Sequence, residues 1–69
     1  MKMIANNYEA NEIMRIIREW TGLKQDEFAK KLGKSTRSLQ DYEAGKTKYS
    51  VEMLLDIAKE YDIKITIEK

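Results

Sequence analysis

The chain has no cysteine, no histidine and no proline, and only three glycines in 69 residues. Without cysteine or histidine there are no disulfides, no thiolate chemistry, no zinc-finger ligands and no imidazole to act as acid or base. The lack of cysteine suits a reducing compartment. No run approaches the roughly 18 apolar residues of a membrane helix, and the start, MKMIANNYEA, has no apolar signal core, so no membrane insertion or secretion is expected. A cytoplasmic protein is expected. A chain this short is one domain and buries only about 60% of the surface it exposes unfolded, so its core is small.

With no proline to interrupt helices and 36% charged residues, the chain reads as a compact helical domain with short connections. A first helix is expected over 8–20, with Asn6 as cap, Glu9 completing a capping box, and Ile13, Ile16, Ile17 and Trp20 as its buried stripe. Further helices are expected over 25–32, 36–44 and 51–61. Ser35 caps the third, and Ser50 caps the fourth, whose inner face is read as Val51, Leu54, Leu55 and Ala58. Gly22, Gly33 and Gly45 all fall at predicted helix ends. Residues 63–68 alternate β-branched and polar side chains at a period of two and are read as a strand. A lone strand is unstable. The favoured partner is its own copy in a second subunit, through Ile63, Ile65 and Ile67, with Lys2-Met3-Ile4 of the same chain as the alternative.

The densest signal is QDEFAKKLGKSTRSLQDYEAG, residues 25–45. Phe28, Ala29 and Leu32 share one helical face, Gly33 sits where the chain must reverse, Ser35 follows as a cap, and Leu39 and Tyr42 face inward from the next helix. Ala29 lies where two steeply crossed helices come closest. This order of seven positions resembles the helix-turn-helix of the phage repressor and Cro group (XRE-type proteins). The likeness extends to WTGLKQDEFAKKLG before the hinge and STRSLQDYEAGKTK after it, covering roughly Ile13 to Ile63. It implies a mainly α, four-helix lambda-repressor-like fold, here with a C-terminal β-strand where the group commonly has another helix. Two residues depart from the pattern: Lys24 replaces the usual Thr, Ser or Asn cap, and Lys34 replaces the valine that plugs the turn.

Charge agrees with a DNA-reading unit in the middle of the chain. Net charge is only +1, but residues 24–48 hold seven basic against four acidic residues, while 49–69 are net acidic. On a helix over 36–44, the face opposite Leu39 and Tyr42 presents Thr36, Arg37, Gln40 and Asp41 to a major groove. Arg37 has the planar fork that guanine accepts, and Gln40 can give and take with adenine. Asp41 either orients Arg37 across one helical turn and rejects wrong bases, or simply lowers affinity. By resemblance, Thr36, Arg37 and Asp41 match positions from which the group touches bases, and Gln25 matches a glutamine that contacts the DNA backbone. Ser35, Ser38, Lys46, Lys48 and Tyr49 are the remaining expected phosphate contacts. Resemblance also implies an ion pair between Arg18 and Glu43. Trp20 and Tyr42 are read as core aromatics.

The functional expectation is sequence-specific binding of a double-stranded DNA operator. The chain would act as a homodimeric transcriptional repressor on a palindromic site, nucleoid-associated when bound. Two alternatives stay open. One is the antitoxin of a toxin–antitoxin pair, with the acidic C-terminal part holding a basic toxin. The other is an interaction module that has lost DNA binding. Catalysis, a cofactor, a metal and a small-molecule substrate are not expected. Asp26 and Glu27 are neighbours pointing apart, and Ser35 and Ser38 have no base.

Overall fold

The computed structural model describes residues 1–69. In chain order it has β1 (Lys2–Ile4), a 3₁₀ turn (Ala5–Asn7), α1 (Ala10–Thr21), α2 (Gln25–Leu32), α3 (Thr36–Ala44), α4 (Val51–Glu60) and β2 (Lys64–Thr66). α2 and α3 begin and end where the sequence places them. α1 starts later. Its cap is Glu9, whose backbone N–H donates to the Glu12 carboxylate at 2.9 Å. Asn6 instead clasps the other end of the chain: its side-chain amide takes the Glu68 N–H at 2.9 Å and donates to the Glu68 carbonyl.

The α2–α3 hinge is closed by its backbone. Gly33 holds φ +70°, its N–H reaches the Lys30 carbonyl at 3.0 Å, and the Lys34 N–H reaches the Ala29 carbonyl at 2.9 Å. This paired pattern satisfies the carbonyls that a helix end leaves free. Lys34 takes part through its main chain, so the turn keeps its path without a valine. Half of a capping box remains at Lys24: the Glu27 carboxylate accepts the Lys24 N–H at 3.0 Å. Ser35 and Ser50 cap α3 and α4 through their hydroxyls, each accepting an N–H at 3.1 Å.

The core joins all four helices. Phe28, Met14, Ile17 and Leu39 are its fully buried side chains, with Ala29 at the α2–α3 approach. Two helix faces differ from the expected stripes. α1 buries Ile13, Met14 and Ile17, with Ile16 and Trp20 half-buried at the margin. α4 buries Leu54, Ile57 and Ala58, leaving Val51 and Leu55 exposed at 69% and 45%. Val51-Glu52-Met53-Leu54-Leu55 is apolar at four of five positions, so two stripes compete, and contact with α2 and β2 selects the one containing Ile57.

The C-terminal strand finds its partner within the chain. β1 and β2 pair in parallel, with Lys2 opposite Lys64, Met3 opposite Ile65 and Ile4 opposite Thr66. α4 ends in the same paired reversal as α2, but on Asp62, at φ +53°, rather than on a glycine. The Ile63 N–H reaches the Ala58 carbonyl at 2.8 Å, and the reversal drives Ile63 into the core. No helix is long and apolar enough to cross a membrane.

Candidate nucleic-acid interface

α3 stands on the surface with Leu39 and Tyr42 buried beneath it. Arg37 and Gln40 are exposed, while Thr36 and Asp41 are half-buried on the same outward side. Arg37 Nε lies 3.4 Å from Asp41 Oδ1, the pairing that their four-residue spacing allows.

Behind this face lies a polar network that fixes the angle between helices. The Glu43 carboxylate accepts from Arg18 Nε at 2.7 Å and Nη2 at 3.1 Å, and from Gln25 Nε2 at 3.3 Å. One anion thus ties α1 and α2 to the last turn of α3. The Glu43 backbone carbonyl accepts from Asn11 Nδ2 at 3.3 Å, a second link to α1. Hydrogen bonding to Glu43, opposed by partial burial, holds the Arg18 guanidinium above its ordinary pKa. Gln25 passes the connection outward, since its Oε1 lies 3.5 Å from Gln40 Nε2 at the weak limit of a hydrogen bond. Glu43 and Asn11 therefore fix α3 against α1 and α2. The resemblance implied the ion pair but not the branch through Gln25 or the role of Asn11.

The other expected contacts divide. Gln25 sits at the start of α2, where backbone N–H groups are unpaired and the helix dipole favours an anion. Ser35 donates to Ser38 Oγ at 3.0 Å while capping α3, which leaves the Ser38 hydroxyl proton available to a phosphate. Lys46 and Lys48 are exposed and enter none of the four ion pairs. Tyr49 is turned the other way. Its hydroxyl donates to the Ala10 carbonyl and its ring meets Tyr42 edge-on at 5.8 Å, so it braces the loop and has no proton left for a phosphate. Burial pushes the Tyr49 phenol above its ordinary pKa.

The three isoleucines of the expected strand also separate, and only Ile65 lies in β2. Ile63 is in the domain's own core, Ile65 is half-buried, and Ile67 is 83% exposed. Ile65 and Ile67 line one wall of a groove of about 570 Å³, with Val51, Leu55, Ala5 and Tyr49 around it. No group of His, Cys, Asp or Glu side chains has the arrangement to hold a metal ion.

A helix-turn-helix family model matches residues 14–67, which span α1 to β2. No curated protein and no solved structure matches the chain.

Proposed function

We propose that this chain, which belongs to the Cro/C1-type helix-turn-helix family of DNA-binding transcription regulators, is a sequence-specific repressor that works as a homodimer on a roughly palindromic operator. The observation carrying this reading is the outward face of α3. Its base-reading side chains project beyond a buried Leu39 and Tyr42, with an open helix N-terminus at Gln25 and unpaired Lys46 and Lys48 beside it. Arg37, Gln40, Asp41 and Thr36 read base edges. Gln25, Ser38, Lys46 and Lys48 set orientation on the phosphates.

The apolar groove supports the dimer. Val51, Leu55 and Ile67 are exposed large apolar side chains that gather there, beside the loop that carries Lys46 and Lys48. A second copy seated on it would cover them by the same patch on both chains. The domain measures 34 × 24 × 18 Å, so two copies in contact can set their α3 helices about one duplex turn apart, roughly 34 Å. Repression follows from occupying the operator.

Selection from a random duplex pool tests the reading. The expected result is a two-fold symmetric motif with half-sites about 10 base pairs apart, retained by the native chain and reduced to half-site binding by Leu55→Glu. Enrichment of an unrepeated site by one chain per duplex would defeat the dimer, and no enrichment at all would defeat sequence-specific binding. An antitoxin role is the second reading. It is favoured by the exposed row Glu52, Asp56 and Glu60 on α4, of which only Glu60 is ion-paired, to Lys31 at 2.8 Å. A basic partner encoded beside this gene and co-purifying with the chain would support it.

A further inference from the structure

The reading face of α3 carries a single anion, and its surroundings give that anion a task. Asp41 differs from an acid on a solvated surface pair such as Arg15–Glu19, where both side chains are half exposed. Its side chain is 27% exposed, against 79% for Arg37. The carboxylate is thus seated against the fold while the arginine reaches outward. The main chain of Asp41 is fixed as well: its carbonyl accepts the Lys46 N–H at 2.9 Å and the Thr47 N–H at 3.4 Å in the turn that closes α3. No lysine shares it, since Arg37 is its one ion-pair partner.

The contact runs through Arg37 Nε. That leaves both terminal Nη groups of the guanidinium free, and guanine O6 and N7 accept two parallel donors of this kind. The Arg37–Asp41 contact is an ion pair at 3.4 Å, so the carboxylate keeps acceptor capacity for a further donor. An acceptor-only group in the major groove is repelled by guanine O6 and N7 and by thymine O4. It is attracted by cytosine N4 and adenine N6, the two exocyclic amines. Residues four apart on a helix are separated by about 6 Å along its axis, and stacked pairs by about 3.4 Å, so a helix lying obliquely in the groove sets the two side chains over neighbouring pairs.

We infer that Arg37 and Asp41 form one reading unit for a two-pair step. Arg37 takes a guanine through its Nη groups. Asp41 holds Arg37 by Nε and accepts from the exocyclic amine of a cytosine or adenine at the adjoining pair. Asp41 is then a specificity-determining residue. Its charge costs affinity on every sequence and costs more where the adjoining base offers only acceptors. This rests on the DNA-binding reading above.

The test uses the full chain as wild type, Asp41→Asn and Asp41→Ala. Each is put through selection from a random duplex pool, then titrated against the selected site and its single-pair variants at one salt concentration. Wild type is expected to select guanine with cytosine or adenine, rather than guanine or thymine, at the adjoining position of the strand that Asp41 faces. It should disfavour the wrong adjoining base by roughly 5- to 150-fold, the range of one good base contact. Asp41→Asn should lose most of that discrimination at the adjoining pair. Asp41→Ala should bind mixed-sequence duplex more tightly than wild type while its motif blurs at both pairs. Both variants selecting the wild-type motif with unchanged discrimination overturns the inference alone, because Asp41 then only weakens binding. A wild-type chain that retains no duplex at low salt overturns the DNA-binding reading, and the inference falls with it.

Discussion

Glu43 is the anion on which three helices converge, and removing its charge tests the packing behind the reading face. An exposed ion pair contributes about 0–1 kcal/mol. Arg18 and Glu43 are not exposed: their side chains are 19% and 8% accessible, and the guanidinium meets the carboxylate through two nitrogens. Deleting one partner of a fully buried pair costs about 3–5 kcal/mol, because the survivor stays desolvated without a countercharge. Arg18 keeps a fifth of its side chain in water, so Glu43→Gln should cost about 2 kcal/mol, and Arg18→Met a similar amount. The double variant leaves no orphan charge and should cost about 2 kcal/mol as well, well short of the sum, for a coupling of about 2 kcal/mol. A domain of 69 residues has on the order of 3–10 kcal/mol of total stability, so either single change is severe. Urea unfolding followed by fluorescence of Trp20, the one tryptophan, reads all four corners of the cycle. Purely additive single effects, or a Glu43→Gln cost under about 0.5 kcal/mol, would refute the argument that this pair is desolvated and shared.

Backbone strain yields a matched pair of outcomes. Gly33→Ala meets no atom within 4 Å of the added carbon but must hold φ +70°, so it should lose about 1 kcal/mol of unfolding free energy. Asp62→Gly relieves the same strain at φ +53° and should gain about 0.5 kcal/mol, offset in part by the freedom glycine adds to the unfolded chain. Tyr49 predicts an alkaline limit. Burial raises its phenol above the ordinary 10.0, so the folded chain holds that proton more tightly than the unfolded chain. The resulting stability is complete below the unfolded value and is lost as pH climbs through the folded one. Tyr49→Phe should flatten that loss above pH about 10 in urea melts. Lys31, raised by its hydrogen bond to Glu60, titrates in the same direction, and Lys31→Met subtracts it. On DNA, Lys46→Ala should weaken all sequences alike and reduce the slope of log affinity against log salt by about 1. Arg37→Ala should instead cost about 1–3 kcal/mol at one base pair.

What the sequence discloses is local. Ser35, Ser50 and the hinge at Gly33 act within a few residues of themselves, so their chemistry fixes α2, α3 and the start of α4 with no knowledge of the rest. Glu9 displaces Asn6 as the α1 cap because Glu12 can reach back to the Glu9 N–H, while Asn6 has a better-matched partner 62 residues away in the backbone of Glu68. That distance is beyond any window of periodicity. Met14 was hidden for a related reason. It stands beside Ile13 rather than on the expected stripe, and its burial depends on how α1 rolls against Phe28 and Leu39. Strand character at residues 64–66 was legible from alternation, but the favoured partner, a second copy of the strand, gives way to parallel pairing with β1 at the other end of the same chain.

The two lysines that break the family pattern show how a fold position survives the loss of its usual residue. At Lys24 the side chain cannot accept a hydrogen bond, so the helix start depends on Glu27 returning to the backbone, and that carboxylate also suits the positive end of the α2 dipole. At Lys34 no apolar plug fills the turn, so the hinge depends on the backbone bonds of Gly33 and Lys34 to α2. The structural task passes to the Glu27 carboxylate at one position and to main-chain groups at the other. The arrangement is consistent with a domain that has little core to spare. It keeps its geometry through caps, reversals and one shared carboxylate, and leaves its exposed side chains to the ligand. A chain organised this way should tolerate Lys24→Ala and Lys34→Ala with less than about 0.5 kcal/mol change in stability, while DNA affinity falls for both. Stability losses well above that figure would mean the lysine side chains, and not the backbone bonds, hold the hinge.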